Sequence, residues 1–196
     1  MKTRILFAAL LLFITLPAVA SSVLQVSFDE LVRSSEFVFQ GRVVDKRAEF
    51  DKRGAIKTYV TFEVLDVYKG AYSGRTLQLP FLGGTIGDLT MKISDLEPPN
   101  VGETGIYFVE SMSNPPAHPL YGWDQGHFLV RTNQTDRTDH VFSHTGKPVS
   151  GFQATGKAAG LSNGVAAGLT LDADRAGQGL TVVQFKQKIK EILSTR

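Results

Sequence analysis

The chain has 196 residues, with 21 lysines and arginines, 19 aspartates and glutamates, and no cysteine. This length is sufficient for one domain with a buried core. The absence of cysteine excludes disulfide bonds and lipid attachment at a cysteine. Because the charges nearly balance and the basic residues form no stripe, the chain has little to gain from a phosphate backbone. We therefore predict no nucleic-acid partner.

The first twenty residues have the pattern of a secretory signal peptide. Lys2 and Arg4 precede the apolar stretch 5–16, and Ala18-Val-Ala20 has the small residues of a cleavage site. We expect cleavage near Ala20 and a mature chain that starts at Ser21, is periplasmic or secreted, and keeps no stable membrane span. Loss of the two basic residues of the leader leaves 19 basic and 19 acidic residues.

A short helix is predicted where the mature chain begins. Ser27 and Glu30 have the spacing of a capping box, in which each side chain bonds the backbone amide of the other residue. Phe28, Leu31 and Val32 then give this helix an apolar side.

Two stretches, 36–44 and 58–70, then alternate between apolar and polar side chains. Phe37 and Phe39 share one face of the first stretch, and the second has the same period of two. We predict two strands with one buried and one solvated face, joined by a long charged turn over 45–57. A glycine inside a strand marks a bulge or a barrel corner, so Gly41 is the first indication of a closed sheet.

The remaining strands are shorter and are followed by a different kind of sequence. Pro80 restricts its strand to the edge or end of a sheet because proline has no amide hydrogen to donate. Residues 151–180 are rich in glycine and alanine and are predicted to be a flexible linker that buries little. Residues 181–196 begin with a second capping box and are predicted to form an amphipathic helix. Alternation predicts the strands 77–81, 89–93, 105–110, 128–132 and 140–143.

These elements predict a mainly β fold, an OB-like antiparallel barrel with a short N-terminal helix and an amphipathic C-terminal helix. The barrel domain is assigned to residues 21–150, the linker to 151–180, and a helix that packs on the barrel to 181–196.

The chain also resembles a known group of proteins. Residues 27–32 (SFDELV), 36–43 (EFVFQGRV), 61–70 (TFEVLDVYKG), Gly83-Gly84 and 101–103 (VGE) are similar to small exported bacterial proteins of unassigned function. These resemble the OB-like barrels of tissue metalloproteinase inhibitors and netrin modules. In those inhibitors an N-terminal cysteine chelates the zinc of the target, and this chain has no cysteine. The resemblance therefore implies a fold and not that mechanism.

The segment 118–127 is the candidate binding surface. It places Tyr121, Trp123, Asp124 and His127 in one loop, and aromatic side chains in loops are suited to binding sugars or peptides. The structural alternative is that Tyr121 and Trp123 fold back and close one end of the barrel.

Two histidines, His140 and His144, are the candidate metal ligands. In a strand they stand about 13 Å apart, too far to share one ion, so a site would need further ligands brought in by the fold. Those ligands would come from His118, His127, Asp124 or Asp139.

Two other motifs have a simpler structural interpretation. Residues 160–164 (GLSNG) match a hydrolase nucleophile elbow, but no predicted strand precedes Ser162, and we assign no catalytic residue. The glycine loop 83–87 has the composition of an anion nest, but a loop that turns a strand is the better explanation.

We therefore predict an exported, non-enzymatic binding module without a cofactor, whose partner is a protein or a glycan in the envelope or medium. Two alternatives remain open. One is a metal-dependent hydrolase that uses His140 and His144, and the other is an inhibitor of a secreted protease.

Overall fold

A computed structural model describes residues 23–93, 97–153, 158, 160–172 and 179–195. The predicted leader, residues 1–20, lies outside this range. The fold is mainly β, with antiparallel sheets and two helices, as predicted. No helix in the described ranges is both long and apolar enough to cross a membrane. The helices are α1 (Phe28–Ser34) and α2 (Val182–Ser194), and the strands are β1 (Phe37–Phe50), β2 (Ile56–Lys69), β3 (Thr76–Leu82), β4 (Gly84–Ile86), β5 (Leu89–Met91), β6 (Thr104–Val109), β7 (His127–Thr132), β8 (Asp139–Ser143), β9 (Val149–Phe152) and β10 (Leu169–Leu171).

Six strands form the main sheet, in the order β3-β2-β1-β6-β7-β8. Pro80 lies in β3, which is an edge strand, as the sequence predicted. The expected strand 89–93 is shorter and lies outside this sheet, because β5 pairs only with β4 among the described residues. A second two-stranded sheet joins β9 to β10.

The hairpin of β1 and β2 is longer than the sequence predicted. Residues that we assigned to a charged turn over 45–57 are paired in the two strands, and only residues 51–55 form the turn. The Asp51 carboxylate accepts hydrogen bonds from the amides of Arg53 and Ala55, at 2.8 and 2.9 Å. The charged side chains of β1 in this stretch extend into solvent, where they do not oppose strand pairing, and β2 also pairs with β3 there.

Gly41 lies at a bulge, as predicted. The register between β1 and β2 shifts between Gln40 and Gly41. A Cβ atom at position 41 would lie 2.6 Å from Cε2 of Phe39, so only glycine fits beneath that ring.

Both faces of the central strands are buried, which corrects the prediction of one solvated face. In β1, Val38 is as fully buried as Phe39, although their side chains point to opposite sides. One side, here called the aromatic face, packs Phe37, Phe39, Phe62, Phe81 and Tyr107 together. The other side, the helix face, packs Val38, Ile106, Phe108 and Phe128 against α1 and α2.

The two helices begin as the sequence predicted, with one difference. Thr181 and Gln184 form the complete capping box of α2. At α1 the Ser27 hydroxyl accepts from the Glu30 amide at 3.1 Å, while the Glu30 carboxylate accepts from the Tyr121 hydroxyl at 3.2 Å. The second half of that box is replaced by a tertiary hydrogen bond.

The described part of the glycine- and alanine-rich segment contains regular structure, which differs from the expected linker. Strand β10 pairs with β9, and Ala166 is buried in the helix-face cluster. The Phe28 amide donates to the Ala167 carbonyl, and the Ala167 amide donates to the Val26 carbonyl, both at 2.8 Å. Small side chains allow this close backbone approach.

Docking of α2 gives a direct prediction. Phe185 is fully buried and packs on Phe28 and Phe128, with ring centroids 5.2 and 5.0 Å away. We expect Phe185→Ala to lower the free energy of unfolding by about 3–5 kcal/mol because it leaves a cavity. Val183, two residues earlier, is 76% exposed, so Val183→Ala should change the free energy of unfolding by less than about 0.5 kcal/mol. Urea unfolding of both variants measures this, and equal losses would contradict the packing of α2.

Candidate functional site

A cleft of about 650 Å³ lies beside the β4–β5 hairpin. One wall comes from this hairpin and from residues 97–100, which include two prolines. A second group of lining residues, here called the polar wall, consists of Glu103, Asp124, His127 and His144. Three separate parts of the chain supply this polar wall, so the fold and not any local motif assembles it.

His127 and Glu103 form the first pair on the polar wall. His127 is the first residue of β7, and its Nε2 lies 2.7 Å from Oε1 of Glu103. The imidazole also stacks on the ring of Tyr107, with centroids 5.1 Å apart and an angle of 23°. The ring is therefore held on its face by an aromatic contact and at its edge by a carboxylate.

His144 and Asp124 form the second pair, with Nε2 of His144 3.5 Å from Oδ2 of Asp124. Burial lowers the pKa of His144; the nearby Asp124 carboxylate opposes this shift, and His127 adds to it. The imidazole is therefore neutral at neutral pH. Gly164 covers the ring, because a Cβ atom there would lie 2.4 Å from Cε1 of His144.

Two buried side-chain polar atoms lack a hydrogen-bond partner within the described part of the chain, one in a residue of this wall and one in the residue on which His127 stacks. They are the Tyr107 hydroxyl and Nδ1 of His144. Burial, followed by the nearby Glu103 carboxylate, raises the pKa of Tyr107 far above its usual range. The hydroxyl thus lies near Glu103 without reaching hydrogen-bonding geometry. The Gly164 backbone likewise lies beside His144 and partly offsets the lowering of its pKa, again without a regular hydrogen bond to Nδ1.

The predicted binding loop divides between two roles. Asp124 and His127 line the cleft, but Tyr121 and Trp123 do not. Trp123 stacks on the buried ring of His118, with centroids 5.6 Å apart and an angle of 7°. Its φ of 61° is in the left-handed region, which is unusual for a large residue. The short 3₁₀ turn that starts at Trp123 brings Asp124 to His144.

The structure separates the two candidate metal ligands. Nε2 of His140 lies 2.7 Å from the Thr138 hydroxyl, and Nδ1 lies 2.6 Å from the Gly179 carbonyl. Metal binding at His140 would have to break one of these contacts, whereas His144 lies in the cleft. Across the described ranges, no group of three or more His, Asp or Glu side chains is placed to hold a metal ion.

The two remaining motifs have structural roles. The Gly83 carbonyl accepts a hydrogen bond from the Thr58 hydroxyl at 2.7 Å. A Cβ atom on Gly84 would lie 2.3 Å from the oxygen of the Thr58 hydroxyl. These glycines allow β4 to cross close to β2, and they also line the cleft. The Ser162 hydroxyl accepts from the Gly164 amide at 2.9 Å, in a turn that no helix follows within residues 163–172.

Sequence reasoning missed Glu103, Tyr107 and Gly164 as parts of the site. Tyr107 lies in the predicted strand 105–110, and Glu103 entered only through the resemblance of residues 101–103. Gly164 entered through the match of residues 160–164 to a nucleophile elbow, and nothing local relates it to His144. Comparison with known proteins finds no matching family model, no similar curated protein and no similar solved structure.

His118, whose ring stacks on Trp123 of the predicted binding loop, makes the free energy of unfolding depend on pH. Burial, with a smaller contribution from the charge of His127, lowers the pKa of His118 from 6.5 to about 3. The unfolded chain therefore binds a proton that the folded chain excludes. The resulting stabilisation is complete above pH 6.5 and declines as pH falls towards 3, by at most about 1.4 kcal/mol per pH unit.

The variant His118→Phe keeps an aromatic ring beneath Trp123 but has no group that titrates. We expect the wild-type protein to lose free energy of unfolding more steeply than this variant between pH 6.5 and 3. Urea unfolding at several pH values measures both slopes. Carboxylates contribute equally to the pH dependence of both proteins. Identical slopes would therefore contradict the claim that folded His118 excludes a proton.

Proposed function

We propose that this protein is an exported, non-enzymatic binding module that holds a small ligand in the cleft beside the β4–β5 hairpin. The observation that carries the proposal is the cleft itself, whose lining brings four polar side chains from three parts of the chain together with apolar surface. Export is supported by the leader pattern of residues 1–20.

The dimensions and composition of the cleft suit a small molecule. Binding sites for such ligands have volumes of roughly 300–1,000 Å³ and combine apolar walls with a few fixed polar groups. Here Met91 and Ile93 and the adjacent prolines supply apolar surface. The polar groups are fixed in advance by the contact of His127 with Tyr107 and Glu103. A rigid site loses less entropy when it binds.

We further propose that the sheet belongs to an OB-like barrel. The bulge at Gly41, the further register shifts in β1 and the aromatic cluster on one face support strong bending of the sheet around that cluster. The helices cover the other face, as expected for the outside of such a barrel. Within the described residues, β3 and β8 remain the two edges, so the proposed barrel is partly open.

Backbone amide NMR with a mixed panel of cationic, anionic, sugar and aromatic fragments tests the proposed function. We expect saturable shifts at residues of the cleft for at least one class of fragment. Thr90 lines the cleft, so Thr90→Trp should fill it and abolish those shifts.

Leu89 provides the matched control. It is 61% exposed on the same hairpin and does not line the cleft, so Leu89→Trp adds the same bulk outside it. This variant should bind like the wild type. The proposal fails if no fragment shifts cleft residues, or if both tryptophan variants bind equally well.

A further inference from the structure

We infer that the ligand of this cleft is a small organic cation, an amine or guanidinium group on an apolar body. This inference rests on the proposed function and names the chemical class that the same site would take. It draws on three properties of the described side chains: charge, hydrogen-bonding capacity and the apolar wall.

The charges around the cleft favour a cation. Three carboxylates line it, those of Glu97, Glu103 and Asp124. Two ammonium groups oppose them: Lys92 lines the cleft, and Lys46 contacts the carbonyls of residues 98 and 99. His144 is neutral at neutral pH because it is partly buried, so it does not offset this excess. A cleft with an excess of one sign of charge concentrates ions of the opposite charge.

Glu103 is the central acceptor. Its carboxylate side chain is 20% exposed, and Oε1 lies within hydrogen-bonding distance of the neighbouring His127. An ionised carboxylate has about four acceptor positions, so this contact leaves capacity for N–H donors of a ligand. Bonds from a charged donor to a carboxylate are the stronger kind of protein hydrogen bond.

An independent observation places unsatisfied polarity in the core next to the polar wall. The Tyr107 hydroxyl is completely buried and lacks a partner among the described residues. Tyr107 lies over Gly105, where a Cβ atom would be 2.8 Å from its oxygen, and the hydroxyl ends near Glu103. Native proteins rarely leave such an atom unpaired unless a bound group completes the network. A ligand nitrogen at Glu103 would bind the carboxylate that this hydroxyl approaches.

The apolar part of the lining accounts for an apolar body. Met91, Ile93, Pro98 and Pro99 line the same cleft as the carboxylates. An aliphatic or aromatic part of the ligand would remove this surface from water. The site thus combines acidic groups with apolar surface, which distinguishes it from a site for an inorganic ion or an anion.

Three four-carbon probes separate charge from shape: putrescine, butanediol and succinate. In NMR titrations of the purified protein at neutral pH, we expect putrescine to bind at least about tenfold more tightly than butanediol, and succinate not to bind. Amides near residues 103 and 127 should shift.

Two isosteric variants and one control test which carboxylate binds the cation. Glu103→Gln keeps an acceptor for His127 but removes the charge, and it should weaken putrescine by about tenfold. Glu97→Gln, at the exposed rim, should weaken it less. Glu63→Gln removes a carboxylate that pairs with Arg42 outside the cleft and should have no effect. Melting temperatures show whether each variant is folded.

The outcomes distinguish this inference from the proposed function. Equal binding of putrescine and butanediol would overturn the inference that the ligand is an organic cation, and so would tighter binding of succinate or of zinc at cleft residues. Each of these results would still leave the cleft as a binding site. Putrescine affinity unchanged in a folded Glu103→Gln protein would also overturn it. If no fragment of the wider panel binds at the cleft, the proposed function fails as well.

Discussion

Strands β1 and β6 lie side by side in the main sheet, and both of their faces are buried. Phe39 and Tyr107 point into the aromatic face, while Val38 and Phe108 point towards the helices. Each large apolar side chain that is buried in this way contributes roughly 1.5–3 kcal/mol. Because the chain has no cysteine, no disulfide adds to this stability. The positions of both helices, the edge strands and the cleft wall all depend on this double burial.

Tyr107 connects that core to the candidate site. Its ring lies 4.7 Å from Phe62 and 5.4 Å from Phe39, measured between centroids, and it also stacks on His127. The aromatic face therefore holds the imidazole that contacts Glu103. A polar wall held by packed rings keeps its geometry without a ligand, which is the condition for a preorganised site.

Local patterns in the sequence predicted much of the fold. Alternation at Phe37 and Phe39 identified β1, Pro80 identified an edge strand, and Thr181 with Gln184 identified the start of α2. These predictions succeeded because each depends on the backbone conformation of a few neighbouring residues. The burial of Val38 was missed because it depends on tertiary packing in a cluster that includes α2, which is distant in the chain.

The site was predictable only in part, for the same reason. Asp124 and His127 were found through their loop, but the partner that each contacts, His144 and Glu103 respectively, comes from elsewhere in the chain. The contact of Gly164 with His144 depends on how residues 160–172 cross the fold. No periodicity or short motif contains such information.

A crystal structure of the protein grown with putrescine tests the central claim most directly. The account predicts electron density for the diamine in the cleft, with one nitrogen within hydrogen-bonding distance of the Glu103 carboxylate and its carbon chain against Met91 and Pro99. Density for the diamine only at other surfaces, with the cleft filled by water, would contradict it.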